Sequence, residues 1–89
     1  MNLEEELMWA SKHGHLEVVK FLVANGADVR ADIDIAIRYA CRYGHLEVCK
    51  FLVANGADVR AGNDYALRRA SRSGHLEISN YLKSIIDKC

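Results

Sequence analysis

Apolar residues recur along the chain at intervals of three and four, in segments that are separated by glycine. In the segment after Gly14 this spacing gives the single apolar stripe of an amphipathic α-helix, formed by Leu16, Val19, Leu22 and Val23. The same pattern predicts six helices. They span residues 3–12, 15–24, 35–42, 45–54, 65–72 and 75–86. The chain is therefore predicted to be all-α.

The pattern is also repeated almost letter for letter. The segment Gly14–Arg30 recurs thirty residues later as Gly44–Arg60, with Cys49 in place of Val19 as the single change, and a third copy starts at Gly74. Near-identical segments at a fixed period indicate stacked copies of one supersecondary unit. The unit is helix, short turn, helix and loop. We expect one domain of three repeats, at about residues 3–31, 32–61 and 62–89.

The connections between units are polar, at residues 27–34 and 57–63. Asp34 and Asp64 directly precede predicted helices, and we expect them to act as N-caps, because an aspartate side chain accepts hydrogen bonds from the free backbone N–H groups there. Gly26 and Gly56 suit the left-handed position that ends a helix.

The unit resembles the ankyrin repeat, through Gly-His-Leu-Glu-Val-Val-Lys-Phe-Leu followed by Gly-Ala-Asp. The resemblance covers essentially the whole chain and implies an all-α helix-turn-helix solenoid of three stacked repeats with short inter-repeat loops. The period is thirty residues, whereas the family's is usually about 33; the shorter form is similar to ankyrin arrays of giant viruses and some protists. The family's Thr-Pro-Leu-His signature is replaced at 35–38 and 65–68. It stays open whether the shorter connections form β-hairpins or tight loops.

Positions that are apolar in all three copies are predicted to form the core. These columns are Leu16/Leu46/Leu76, Val18/Val48/Ile78, Leu22/Leu52/Leu82, Leu7/Ile37/Leu67 and the small Ala10/Ala40/Ala70.

The outward positions of the first helix in each unit vary between copies and are rich in tryptophan, tyrosine and arginine, which are enriched at protein-binding hot spots. The resemblance implies that this face lines a concave groove that binds a partner protein, together with the inter-repeat loops. The candidate residues are Trp9, Lys12, His13, Arg38, Tyr39, Arg42, Tyr43, Arg68, Arg69 and Arg72. We expect a non-enzymatic scaffold whose partner is acidic opposite the second and third repeats.

Charge and cysteine content limit the other classes of function. Twelve acidic and twelve basic residues cancel, so net charge alone indicates no nucleic-acid or membrane partner. The apolar runs are much shorter than the roughly 20 residues of a membrane-spanning helix. An acidic N-terminus and an odd count of three cysteines favour reduced thiols and an intracellular, cytoplasmic protein.

The histidines and cysteines indicate neither catalysis nor a bound metal. His45 lies one turn before Cys49, but valine replaces that cysteine in the first copy and no orienting third group is evident, so we expect no enzyme and no cofactor. Histidines 15, 45 and 75 recur once per repeat, too far apart to share one ion, since packed helices lie about 8–10 Å apart. The resemblance implies instead that each anchors its inter-helix turn by hydrogen bonding.

Two alternatives to protein recognition stay open. Arginine and aromatic residues together can bind single-stranded nucleic acid, and a module of this size can serve only as a spacer or minimal scaffold. We expect a monomer, with weak end-to-end association through the apolar final helix at Tyr81, Leu82, Ile85 and Ile86. We also expect Cys89 to be exposed.

Overall fold

Three helical hairpins stack side by side in the computed structural model, which describes residues 2–87. Their helices are α1 (Leu3–His13), α2 (Leu16–Ala24), α3 (Ala31–Arg42), α4 (Leu46–Ala54), α5 (Ala61–Arg72) and α6 (Leu76–Asp87). The odd-numbered helices form one layer and the even-numbered helices form the other. No strand occurs within the described residues, and tight loops at 25–30 and 55–60 join the hairpins. The prediction of an all-α stack of three helix-turn-helix repeats is confirmed.

The core lies between the two layers. Ala10, Ala40 and Ala70 are fully buried, because the absence of a larger side chain lets the first helices pack closely. The column Leu22/Leu52/Leu82 is buried in every repeat, as predicted.

Two core predictions are wrong. Val18 is exposed, although its equivalents Val48 and Ile78 are buried. Leu76 is exposed, although its equivalent Leu46 is half-buried. Each lies at an end of the stack, where no neighbouring repeat of the described chain covers it.

The connections contain a left-handed segment directly before the predicted helix starts at residues 35 and 65. Helices α3 and α5 begin at Ala31 and Ala61, but residues 32–34 and 62–64 depart from right-handed helix, with φ of 56–57° and 60–68°, so regular helix follows from the predicted starts. Neither Asp34 nor Asp64 is therefore the N-cap, because a capping residue needs extended backbone.

The Asp34 carboxylate instead joins two loops. It accepts hydrogen bonds from Arg30 Nε at 2.8 Å and from the Asp58 backbone N–H at 2.9 Å. In the first repeat Glu4 accepts from the Asp28 N–H in the same way, at 3.0 Å. In the first two repeats, a carboxylate near the start of the first helix thus fixes the loop that ends its own repeat.

The final helix buries more of its apolar surface than the sequence suggests. Leu82 is fully buried, and Tyr81, Ile85 and Ile86 pack half-buried against the core. None of the helices within residues 2–87 combines the length and apolarity needed to cross a membrane. Cys89 lies outside the described residues.

Candidate functional site

Cations and aromatic rings alternate across the first helices of the three repeats. Lys12 Nζ lies 5.9 Å from the Tyr39 ring centroid and 5.5 Å from that of Tyr43, both in the next repeat. The Arg42 guanidinium lies 5.1 Å from the Tyr43 ring, and its Nη1 donates a hydrogen bond of 3.3 Å to Tyr65 Oη. These distances are within the range of cation–π attraction, which holds the long cationic side chains against the helices.

Tyr65 continues the pattern into the third repeat. Its ring centroid lies 5.0 Å from the Arg38 guanidinium and 5.8 Å from that of Arg68. Arg68 also donates hydrogen bonds to the carbonyl oxygens of Asn63 at 3.0 Å and Gly62 at 3.3 Å. We call this set the cation–aromatic strip; it comprises Lys12, Arg38, Tyr39, Arg42, Tyr43, Tyr65 and Arg68.

Tyr65 was not among the site residues that the sequence predicted. Its column reads Glu5, Ile35 and Tyr65, which shows no consistent chemistry. The signal that could have identified it is the three-residue spacing from Tyr65 to Arg68, which places both side chains on one helix face.

A cluster of three rings lies at the N-terminal end of the strip. The Trp9 ring centroid is 4.7 Å from that of His13 and 5.3 Å from that of His15, and the two imidazoles are 6.3 Å apart. All three residues are exposed. Such a cluster offers a flat apolar surface with polar edges, as protein-binding surfaces often do.

The remaining two candidates lie outside the ring contacts. Arg69 is half-buried, and its Nε atom is buried with no hydrogen-bond partner within residues 2–87. Arg72 is exposed. The structure thus brings eight of the ten predicted residues into two adjoining sets of ring contacts and leaves Arg69 and Arg72 beside them.

The positive charges of this face are not neutralised inside the described part of the chain. Ion pairs there join Lys20 to Glu17, Arg30 to Asp34 and Asp58, and Arg60 to Asp64. None of them involves a cation of the first-helix face. Six cations of this face therefore have no carboxylate partner within residues 2–87: Lys12, Arg38, Arg42, Arg68, Arg69 and Arg72.

The Cys49 thiol and the His45 imidazole have separate partners. Cys49 Sγ lies 2.9 Å from Cys41 Sγ in the core, and this hydrogen bond, followed by burial, raises the pKa of the Cys49 thiol well above its ordinary value. A thiol with a raised pKa is a poor nucleophile at neutral pH. The arrangement is that of a packed core.

The repeated histidines bond within their own hairpins through the backbone, since the N–H groups of His15, His45 and His75 donate to the carbonyl oxygens of Ala10, Ala40 and Ala70. The side chains of His45 and His75 also connect neighbouring repeats, which the resemblance did not imply. His45 Nε2 donates to the Lys12 carbonyl oxygen at 2.9 Å, and His75 Nε2 donates to that of Arg42 at 3.1 Å. Within residues 2–87 no three or more potential ligands are grouped so that they could hold a metal ion.

A comparison with known protein families finds a match that includes nearly all of the residues described above. A sequence profile described as ankyrin repeats, in three copies, matches residues 7–89. The matched region contains the entire cation–aromatic strip and the ring cluster beside it. No match is found among the curated proteins.

Proposed function

Because the chain belongs to the ankyrin-repeat family, whose members are generally non-enzymatic protein–protein interaction modules, we propose that it binds a partner protein through the first-helix face and the inter-repeat loops. The observation that carries this proposal is the cation–aromatic strip, in which exposed and half-buried cations lie on tyrosine rings and pair with no carboxylate within residues 2–87. Arginine and aromatic side chains are the commonest hot spots at protein interfaces.

The proposed partner presents an acidic surface to the second and third repeats. Arg38, Arg42 and Arg68 surround the Tyr65 ring there, so their side chains are ordered before a partner arrives. Ordering in advance lowers the entropy that is lost on binding. Trp9 would supply an apolar anchor at the other end of the face.

A protein fits this face better than a nucleic acid does. Glu4, Glu5 and Glu6 lie in the first turn of α1, and they would repel a phosphate backbone that followed the face toward the N-terminal end. We place the interaction in the cytoplasm, since an odd count of three cysteines suits a reducing compartment, which keeps thiols unpaired.

Affinity capture from cell lysate tests the proposal. The wild-type chain is compared with an Arg38→Glu/Arg42→Glu variant, which reverses two charges of the strip in the central repeat. A Lys20→Glu/Lys83→Glu variant makes the same change in net charge on exposed positions of the second helices. Circular dichroism and urea unfolding establish that the three proteins are equally folded.

We expect specific proteins to be captured by the wild type and the control but lost from the strip variant, and to be released at high salt because exposed charges are screened. Equal capture by all three proteins would show that the strip is not the binding site. Material that disappears on nuclease treatment would favour single-stranded nucleic acid instead. Capture of nothing by any of the three would favour a spacer.

A further inference from the structure

Equivalent positions in the three repeats reveal which side chains touch the preceding repeat. Val48 and Ile78 are both 2 % exposed, whereas Val18 at the same position of the first repeat is 45 % exposed. Phe51 is half-buried, whereas Phe21 is 66 % exposed. These positions therefore face backward along the stack, and at the N-terminal end of the stack nothing within residues 2–87 covers them.

The opposite end shows the complementary difference. Leu46 is half-buried and lines one cleft with Ile78 of the next repeat, whereas Leu76 at the position of Leu46 is 70 % exposed. Ser11 is buried and Ser71, its counterpart, is exposed. These positions face forward. Residues 2–87 thus present, at their two ends, the two halves of an interface that the chain itself forms twice.

The polar contacts of the internal interface have counterparts at the ends. His75 donates to the Arg42 carbonyl oxygen; the same positions at the two ends are His15 and the Arg72 carbonyl. Lys12 lies over the Tyr39 ring, and the equivalent pair is Arg72 with Trp9. A stacked second copy would therefore find a hydrogen-bond acceptor and a cation at the expected places.

The two ends of the stack carry complementary charges. Tyr65 contacts Arg38 and Arg42 of the preceding repeat. Glu5 occupies the Tyr65 position in the first repeat, and Arg68 and Arg72 occupy the two arginine positions in the third repeat. A carboxylate would replace a tyrosine between two guanidinium groups, which is a favourable exchange.

We propose that the N-terminal end of one copy docks on the C-terminal end of a second copy, in the geometry by which the repeats already stack. Glu5 then lies between Arg68 and Arg72, Trp9 lies over Arg72, and Val18 packs against Leu76. The contact is heterologous and leaves one end free on each outer copy, so oligomers lengthen with concentration instead of closing. The inference does not depend on the proposed function.

Sedimentation velocity from micromolar to millimolar protein, at low salt, tests it with two blocked variants. Glu5→Arg/Val18→Glu blocks the N-terminal end, and Leu76→Glu blocks the C-terminal end. All three positions are exposed or at the rim of an end, so the fold should be kept; circular dichroism checks this. A Glu47→Arg variant, changed at a position that is exposed in every repeat, is the control.

We expect the average mass of the wild type and the control to rise with concentration, and each blocked variant alone to stay monomeric. The equimolar mixture of the two variants has one working contact, so its mass should reach twice that of the monomer and rise no further. A wild type that is monomeric at millimolar concentration would overturn the proposal. So would blocked variants that associate alone, since that result would place the contact elsewhere. Neither blocked variant changes Arg38 or Arg42, so loss of stacking is separable from loss of partner capture.

Discussion

The Nε2 atom of His45 lies 2.9 Å from the backbone oxygen of Lys12, and the same ring occupies the space in which a side chain at Gly14 would lie. Gly14 has a φ of +74°, a conformation that residues with a Cβ resist. The relationship recurs one repeat later, where a Cβ on Gly44 would come within 2.7 Å of His75. Each of these two glycines therefore serves both the turn and the contact between repeats.

Alanine substitution of the turn glycines separates these two roles. Gly74 has a φ of +79°, but no atom of the described part of the chain lies within 4 Å of the position of its Cβ, so Gly74→Ala should cost only the left-handed strain of about 1–2 kcal/mol. Gly14→Ala and Gly44→Ala should cost about 1–3 kcal/mol more, because the histidine ring must move. Urea unfolding measures the free energies. Equal losses at all three positions would show that the histidine contact contributes little.

Replacing Ser11 by alanine should increase the stability of the fold. Its hydroxyl is fully buried and has no hydrogen-bond partner among residues 2–87, whereas the same position of the third repeat holds a Ser71–Ser79 hydrogen bond of 3.1 Å. Ser11→Ala should raise the free energy of unfolding by about 1 kcal/mol, because it removes an unpaired buried polar group. Ser71→Ala should lower it, since Ser79 would lose its partner. A loss of thermal stability in Ser11→Ala would contradict the first expectation.

Ile33 lies in a backbone conformation that a β-branched residue rarely adopts. Its φ is 57° and its side chain is 66 % exposed; the third repeat has Asn63 at this position, with a φ of 60°. Ile33→Asn should raise the free energy of unfolding by about 1 kcal/mol, because asparagine tolerates left-handed backbone. Ile33→Val keeps the branched side chain and should give no gain. Equal unfolding midpoints for the two variants would show that the strain is not relieved.

Stability should fall as the pH rises above about 8.5, the ordinary value for a cysteine pKa. The pKa of Cys49 is raised in the fold by its hydrogen bond with Cys41 and by burial. The unfolded chain therefore loses this proton first and binds fewer protons than the native state, which makes unfolding easier with increasing pH. The expected slope is about 1 kcal/mol per pH unit.

A serine pair supplies the control for this pH dependence. Cys41→Ser/Cys49→Ser reproduces the Ser71–Ser79 arrangement and should remove the decline between about pH 8.5 and 10. Burial also raises the pKa of Tyr81, so a further decline above about pH 10 should remain. Urea unfolding of both proteins across this pH range measures the effect, and identical profiles would contradict the assignment to Cys49.

Much of the first-helix face could be predicted because its pairs are local. Tyr39 and Tyr43 are four residues apart on one helix, and their rings lie 5.9 Å apart in edge contact. The role of Tyr65 in the cation–aromatic strip could not be predicted from local spacing. Two of its three arginine contacts come from the preceding repeat, more than twenty residues away in the sequence.

The sequence by itself determined the six helices, the thirty-residue repeat and the all-α stack, because helix periodicity and glycine turns are set by neighbouring residues. Only the tertiary structure decided that Val18 and Leu76 are exposed while their counterparts in the middle of the stack are covered. It also decided that the His45 side chain bonds to the repeat before it. The physical reason is common to both: burial and hydrogen-bond partners depend on the repeats stacked on either side, which local spacing does not specify.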